Sequence, residues 1–510
     1  MDNNKKIIAY NAVIMFARSM VTMFISLYAS RLLLQKLGID DYGTYYVVGG
    51  IVTMFNVLRT FFSSSIQRFL NFTKGLGDKE KQNRIFNVGL EIQLALCIVF
   101  LLVLETFGII AVNHLNIDTE KIFAVHVIFQ LSIATAIVSM LTVPYDALII
   151  ANEKMGAFAG FAVTESLLRL IIIFFISIGP FDTLINYAVL AFIVAVIMRI
   201  LNASYCSHLF PESKIHFTYD KKLFKEMGQF AGWNFLGNTG FSLCHEGINY
   251  ILNQFGGVAI NSARALAYQI LNALNSLIGN VDIAFKPQVN ASAAYDDRST
   301  FFELLVYNAK ITSTLYMLIM VPTVILVKPA IYLWLGNIPG HVVPFIICVS
   351  LYHLVRTVHL PIDLYFSSIG KLKYYQVIDL CYLSLNLPAA WLLLHFNYPY
   401  WTVFLSMTII EIFSHLSVAL LGAFKYDYPL KKFSRSLYRP FLTMTLVCIS
   451  IVYVNNYIGI DETTSIAIVI LIGLLNEIVL VLFMSFIMLN TYERKKVIEA
   501  INSKLIQIKK

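Results

Sequence analysis

Basic and amide side chains recur at helical spacing in a stretch of chain that is otherwise apolar. From Gly256 to Pro287 the sequence reads GGVAINSARALAYQILNALNSLIGNVDIAFKP, long enough to cross a bilayer as a helix. Within it Asn261, Arg264, Tyr268, Asn272, Asn275 and Asp282 follow one another at steps of three, four or seven, which places them on one helical face. An arginine at the centre of a spanning helix costs about 2.5–3.5 kcal/mol on insertion scales, so it faces a cavity or a partner and not lipid. The chemistry expected of such a face is binding. Guanidinium groups make bidentate, charge-assisted hydrogen bonds to phosphate oxygens. The stripe is therefore expected to line a water-filled cavity that receives an anion.

Other charged residues fall inside apolar runs. Arg59 shares a face with Asn56, Ser63 and Gln67, and Arg18 stands in the first apolar run. Arg356 follows His353 and has Asp363 and Asp379 as candidate partners, so a structural ion pair competes with ligand binding there. Arg169 has Glu165 one turn away and is expected to pair locally. Arg31, Arg68, Arg199 and Lys310 lie near helix ends, where long side chains reach the headgroups. Arg18, Arg59 and Arg264, with Arg356, are the candidate ligands for a pyrophosphate. Each also has the plainer reading of a pair with an acid or a carbonyl. Of the acids in apolar runs, Glu91, Glu246, Asp282, Glu411 and Glu477 are counter-charges, proton sites or ion ligands. The His245–Glu246 pair, with Asp282, is the candidate for ion or proton coupling. No metal site and no cofactor is expected: the six cysteines sit in apolar runs without CxxC or His-paired spacing, and no GxxxxGK[ST] loop occurs.

These residues need helices to position them. The 510-residue chain is 58% hydrophobic and 13% charged, with mean hydropathy +0.72, which a soluble protein cannot keep from water. The expected fold is an all-α polytopic membrane protein with about fourteen transmembrane helices, near 10–34, 42–70, 85–112, 121–146, 157–178, 183–207, 226–253, 257–284, 304–327, 342–366, 374–396, 401–422, 441–458 and 465–489. The apolar run after Tyr10 is too long for a signal peptide and reads as the first span. Of the 38 Lys and Arg residues, about 26 fall in alternate segments on the side of the N-terminus and only Lys36, Lys121 and Lys328 on the other. The positive-inside rule thus places both termini in the cytoplasm, and the +8 net charge reads as topology and not as a nucleic-acid surface.

The polar loop 208–225 divides the chain into an N-terminal six-helix bundle (1–207) and a C-terminal one (226–422), followed by two further helices (441–489) and a basic amphipathic tail (490–510). The step Asn56-x-x-Arg59 after Gly49–Gly50 matches Asn261-x-x-Arg264 after Gly256–Gly257, as expected of two parallel halves.

Three stretches carry a family resemblance: VPYDALIIANEKM (143–155) running into FAVTESLLRL, FAGWNFLGNTG (230–240), and INSARALAYQI through AFKPQVNASAAY. With fourteen helices in two sixes plus two, the chain resembles the bacterial polysaccharide-export flippases. These belong to the superfamily of multidrug-and-toxin extruders and the peptidoglycan lipid flippase. The resemblance implies a V-shaped pair of bundles around a central cavity in the bacterial inner membrane. It implies translocation of an undecaprenyl-pyrophosphate-linked oligosaccharide from the inner to the outer leaflet by alternating access, for O-antigen, capsule or exopolysaccharide synthesis. Membrane lipids, a polysaccharide polymerase and chain-length proteins are the implied partners. In the peptidoglycan flippase, arginines on helices 1, 2 and 8 line the cavity, and Arg18, Arg59 and Arg264 fall on those helices here.

Two other readings stay open. A drug or cation antiporter of the same fold wants acids in its cavity. A membrane-embedded glycan polymerase or acyltransferase needs a catalytic outer loop, and none is evident in the sequence.

Overall fold

A glycine breaks each of the two longest helical tracts. In the computed structural model the tract Asp2–Thr53 turns at Gly38 (φ 80°, ψ 175°) and the tract Lys221–Ala294 at Gly257 (φ 66°, ψ −171°). Both conformations lie in a region that essentially only glycine occupies. The tracts therefore supply four arms: α1 (2–37), α2 (39–53), α7 (221–256) and α8 (258–294). The remaining long helices are α3 (Lys79–Asn113), α4 (Ile122–Ala151), α5 (Met155–Phe175), α6 (Thr183–Leu209), α9 (Arg298–Ile325), α10 (Val342–Ser368), α11 (Leu372–His395), α12 (Thr402–Lys425), α13 (Arg439–Ile458) and α14 (Ile466–Ile487).

The structure describes residues 2–53, 65–66, 69–70, 73, 78–152, 154–179, 181–216, 220–294, 298–369, 371–459, 464–489 and 494, and within helices it leaves undescribed a further set of side chains, among them 2–13, 229–239 and 276–288. Among the described residues there is no β-strand, and ten helices are long and apolar enough to cross a membrane. With the four arms this makes the fourteen helical segments expected of the sequence. The tail from Glu493 falls outside the described residues except for Arg494.

Large apolar side chains such as Phe107, Phe174, Leu474 and Phe486 are exposed, as suits a surface wetted by lipid tails. Lipid is as apolar as leucine, so helices associate by close packing and interhelical hydrogen bonds. An example is the reciprocal amide pair of α13 and α14: each of Asn455 and Asn476 donates to the other's side-chain oxygen at 2.9 Å.

The chain groups into two compact units, Met1–Gln269 with Leu383–Tyr400, and Ile270–Tyr382 with Trp401–Lys510. The first has a core around Ile66, Phe86, Ile149 and Cys206. The second has one around Tyr316, Phe366, Phe433 and Leu480.

Two features of the first unit bear on the site. The start of the loop after α6 is pinned to α3: Asn83 Nδ2 donates to the carbonyl oxygens of Glu212 (2.8 Å) and Lys214 (2.7 Å), Asn87 Nδ2 to that of Lys214 (3.0 Å), and His216 N to Asn87 Oδ1 (2.8 Å). The joint of α7 and α8 is pinned to the joint of α1 and α2 and to the segment after α3. Asn116 N donates to Asn253 Oδ1 (2.8 Å), Gln254 to the carbonyl of His114, and Ser262 to the carbonyl of Ile39. Lys121 ties the same segment to Asp41 at the start of α2.

The proposed sequence repeat does not survive alignment on these joints. Gly49–Gly50 lies inside unbroken helix, whereas Gly257 is itself a break. Arg264 follows its joint by seven residues, while Arg59 follows Gly38 by twenty-one. Counted along the sequence from these joints, the two Asn-x-x-Arg steps stand at different distances; Asn56 and Arg59 lie outside the described residues.

Candidate functional site

Because Gly257 folds α8 back along α7, residues on either side of the joint face each other. Asn253 Nδ2 donates to Asn261 Oδ1 (3.0 Å), and Asn261 Nδ2 donates to the carbonyl (2.8 Å) and side-chain (2.7 Å) oxygens of Asn249. Asn249 in turn donates to Glu246 Oε2 (3.3 Å). At the end of this chain of amides lies Arg264. Its Nη2 donates to the carbonyl oxygen (2.8 Å) and ring Nδ1 (2.9 Å) of His245, and its Nη1 is 3.8 Å from Glu246 Oε2. The guanidinium stands 4.6 Å over the ring of Tyr268, which packs edge-on against His245 at 4.5 Å.

This arrangement sets chemical states. Arginine is only a donor, so His245 must present its Nδ1 lone pair and is a neutral ring while that bond holds. Glu246 has the charge of Arg264 beside it. Asn261 is fully buried and Tyr268 nearly so, which departs from the expectation that both face a cavity. The amide of Asn261 is instead used between α7 and α8, where an unpartnered amide is costly, and the Tyr268 ring packs against Arg264 and His245. His245 is likewise engaged by Arg264 through its Nδ1 and its carbonyl oxygen.

Arg18 on α1 is placed differently. Its guanidinium stands 5.2 Å from the ring of Phe158 on α5, and its Nε is buried with no hydrogen-bond partner. Among the described residues no carboxylate pairs with it. Arg169, by contrast, pairs with Glu165 at 2.9 Å, as its spacing predicts. Asn56, Arg59, Ser63 and the side chain of Asp282 lie outside the described residues. Within the second unit Asn272 is exposed and Asn275 Nδ2 is 3.2 Å from His353 Nδ1.

Arg356 on α10 belongs to a second cluster. Its Nη1 donates to Glu411 Oε1 on α12 (2.9 Å) and is 3.8 Å from Asp379 Oδ1 on α11. Asp379 was a candidate partner by sequence, but Glu411 is the nearer acid. Around them stand His359, Tyr375, Ser414 and His415. Sequence reasoning passed over His415, although its place four residues after Glu411 puts both on one face of α12. Arg18 and Arg264 thus fall in the first unit and Arg356 in the second, and no hydrogen bond or ion pair joins Arg18 to Arg264 among the described residues. No group of three or more His, Cys, Asp or Glu is placed to hold a metal among the described residues.

The fold is that of a class of polytopic all-helical proteins seen in solved structures. No protein-family model matches the chain, and no curated protein matches its sequence. The chain is similar in structure to the lipid II flippase MurJ in an inward closed conformation, with TM-score 0.69 and 17% identity over 92% of this chain and 98% of that one. It is also similar to a multidrug resistance MATE family transporter of the MOP superfamily in an inward-facing conformation (TM-score 0.67, 16% identity, 83% and 99% covered). A third likeness is to a MOP superfamily transporter from Pyrococcus furiosus (0.59, 16%, 83% and 96%).

Proposed function

We propose that the protein is a flippase carrying an undecaprenyl-pyrophosphate-linked oligosaccharide from the inner to the outer leaflet of a bacterial cytoplasmic membrane, by alternating access of halves 1–207 and 226–422, with both termini and the 208–225 linker cytoplasmic. The observation that carries the reading is Arg18. A buried guanidinium nitrogen without a partner, on a spanning helix and with no acid beside it among the described residues, is costly unless an anionic ligand completes it. Arg59, Arg264 and Arg356 are the further candidate ligands; Arg264 and Arg356 would exchange a carboxylate for a phosphate oxygen. The likeness to a lipid II flippase supports the reading. It extends over 92% of the chain against 83% for the multidrug transporter, a difference comparable in length to α13 and α14 together. Outward movement of an anion across an inside-negative membrane is favoured by about 2.3 kcal/mol per charge per 100 mV, so no ATPase is required.

The half-buried Glu246 and the buried Glu411 favour one second reading, a drug or cation antiporter of the same fold. Complementation with lipid analysis separates the two. Cells carrying Arg18→Ala or Arg264→Ala are expected to accumulate undecaprenyl-linked repeat units on the inner leaflet. Unchanged export together with lost resistance to cationic drugs supports the antiporter.

A further inference from the structure

The second unit holds more negative than positive charge in a place shielded from water. Arg356 supplies one positive charge; Glu411 (2% exposed) and Asp379 (8%) supply two negative ones. Between them lies His359, which is fully buried. Its Nδ1 is 3.2 Å from Glu411 Oε1, and its Nε2 is 3.8 Å from Asp379 Oδ1 and 3.2 Å from the Tyr375 hydroxyl. Ser414 Oγ donates to Asp379 Oδ1 at 3.1 Å. A second imidazole, His415 on α12, stands 5.7 Å from the His359 ring and edge-on to Tyr438 at 5.3 Å. Only 8% of it is exposed, and both of its nitrogens lack hydrogen-bond partners.

A neutral imidazole carries one N–H and so can satisfy only one of two acceptors. His359 has a carboxylate toward each nitrogen. In its neutral form the ring has one N–H for the two sides; the Tyr375 hydroxyl is within hydrogen-bond distance of Nε2, while Nδ1 is close to Glu411 without forming an aligned hydrogen bond. One added proton removes both problems. It cancels the excess negative charge, and, on His359, it lets the ring donate to both sides; on Glu411 or Asp379 it supplies the missing donor. Arg356 and Asp379 keep 21% and 11% of their side-chain surface exposed.

We propose that this cluster of His359, Asp379, Glu411, Arg356 and His415 is a binding site for a single exchangeable proton, held between the imidazoles and the two carboxylates and released when Arg356 is the only charge left to balance them. The groups that face it are Tyr352, Arg356 and His359 of α10, Tyr375 and Asp379 of α11, Glu411, Ser414 and His415 of α12, and Tyr438; Asp363 acts on Tyr375 from α10. The inference goes beyond the transport reading and holds whatever the cargo is.

The test is proton binding itself, with no cargo present. Full-length protein in lipid nanodiscs is titrated between about pH 6 and pH 8, where ordinary carboxylates and tyrosines scarcely change state. Infrared difference spectra are recorded for the carboxylic-acid and imidazolium bands. Wild type is expected to take up one proton more than Glu411→Gln, whose cluster is already neutral, and Arg356→Gln to take up one more than wild type. Asp379→Asn must behave like Glu411→Gln and decides the matter if either of the two does not fold. Identical titration of wild type and both carboxylate variants overturns the proposal. So does uptake of sodium in place of the proton, seen as a spectral change that depends on sodium at fixed pH.

Discussion

Gly38 and Gly257 share one backbone conformation, and each divides a single helical tract into two arms. The pair is the clearest sign of internal symmetry in the first unit, and it places the joint of α7 and α8 where Arg264 can meet His245 and Glu246. A side chain at either joint is strained by about 1–3 kcal/mol. Gly257→Ala and Gly38→Ala are each expected to lower thermal stability in nanodiscs by that order. Gly49→Ala is the control: Gly49 is helical and has open space where a Cβ would stand, so alanine should be neutral or stabilise by up to about 1 kcal/mol. Equal melting of all three variants contradicts the assignment of the joints.

A second prediction concerns closure at the same end. The carbonyl oxygen of Val258 is 2.0 Å from where a Cβ on Gly43 would be, so α2 and α8 touch backbone to backbone there. Gly43→Ala must push the helices apart and loosen the bonds from Asn253 to Asn116 and from Ser262 to Ile39. In a cysteine-free background with Asn116→Cys, Gly43→Ala should raise the rate of labelling by a membrane-impermeant maleimide severalfold. No change in rate contradicts the closure.

The polar cluster of α7 and α8 makes a third prediction. Glu246→Gln leaves the Arg264 guanidinium without its counter-charge in a buried site, and breaking such a pair costs about 3 kcal/mol. Replacing both partners, Glu246→Gln with Arg264→Gln, should recover part of that loss. A double-mutant cycle by denaturant or thermal unfolding reads the coupling, and additive losses contradict the pairing.

The fourth lies in the loop after α6. Asn83 and Asn87 hold the carbonyl oxygens of Glu212 and Lys214, and Lys214 itself is exposed. Removing both amides, Asn83→Ala with Asn87→Ala, should speed trypsin cleavage after Lys214 severalfold while the helical core stays intact. An unchanged cleavage rate means the amides do not restrain the loop.

How much of this was legible in the sequence follows from what periodicity reports. Long apolar runs located the spans within a few residues: α4 was expected over 121–146 and is Ile122–Ala151, and α10 was expected over 342–366 and is Val342–Ser368. Face periodicity grouped Asn261, Arg264 and Tyr268 correctly on one side of α8. It did not show that this side meets α7, because which face a neighbour covers depends on the joint, and the joint is a backbone conformation that Gly256–Gly257 permits but does not dictate. The Arg356 cluster was half legible: Asp379 and Glu411 stood out as acids in apolar runs, but their convergence with His359 and His415 spans three helices, and spacing along one helix carries no information about the other two.

The central claim is that arginines of this fold receive a lipid-borne diphosphate. It is tested most directly by reconstituting the full-length protein in proteoliposomes with an undecaprenyl-pyrophosphate-linked oligosaccharide and measuring, under an imposed inside-negative potential, how fast the sugar becomes accessible to a lectin on the far side. A charge-assisted hydrogen bond to phosphate contributes about 1.5–3 kcal/mol, so Arg18→Ala should slow the transfer at least tenfold, with Arg18→Lys retaining more of it than alanine. Transfer by Arg18→Ala at the wild-type rate contradicts the account.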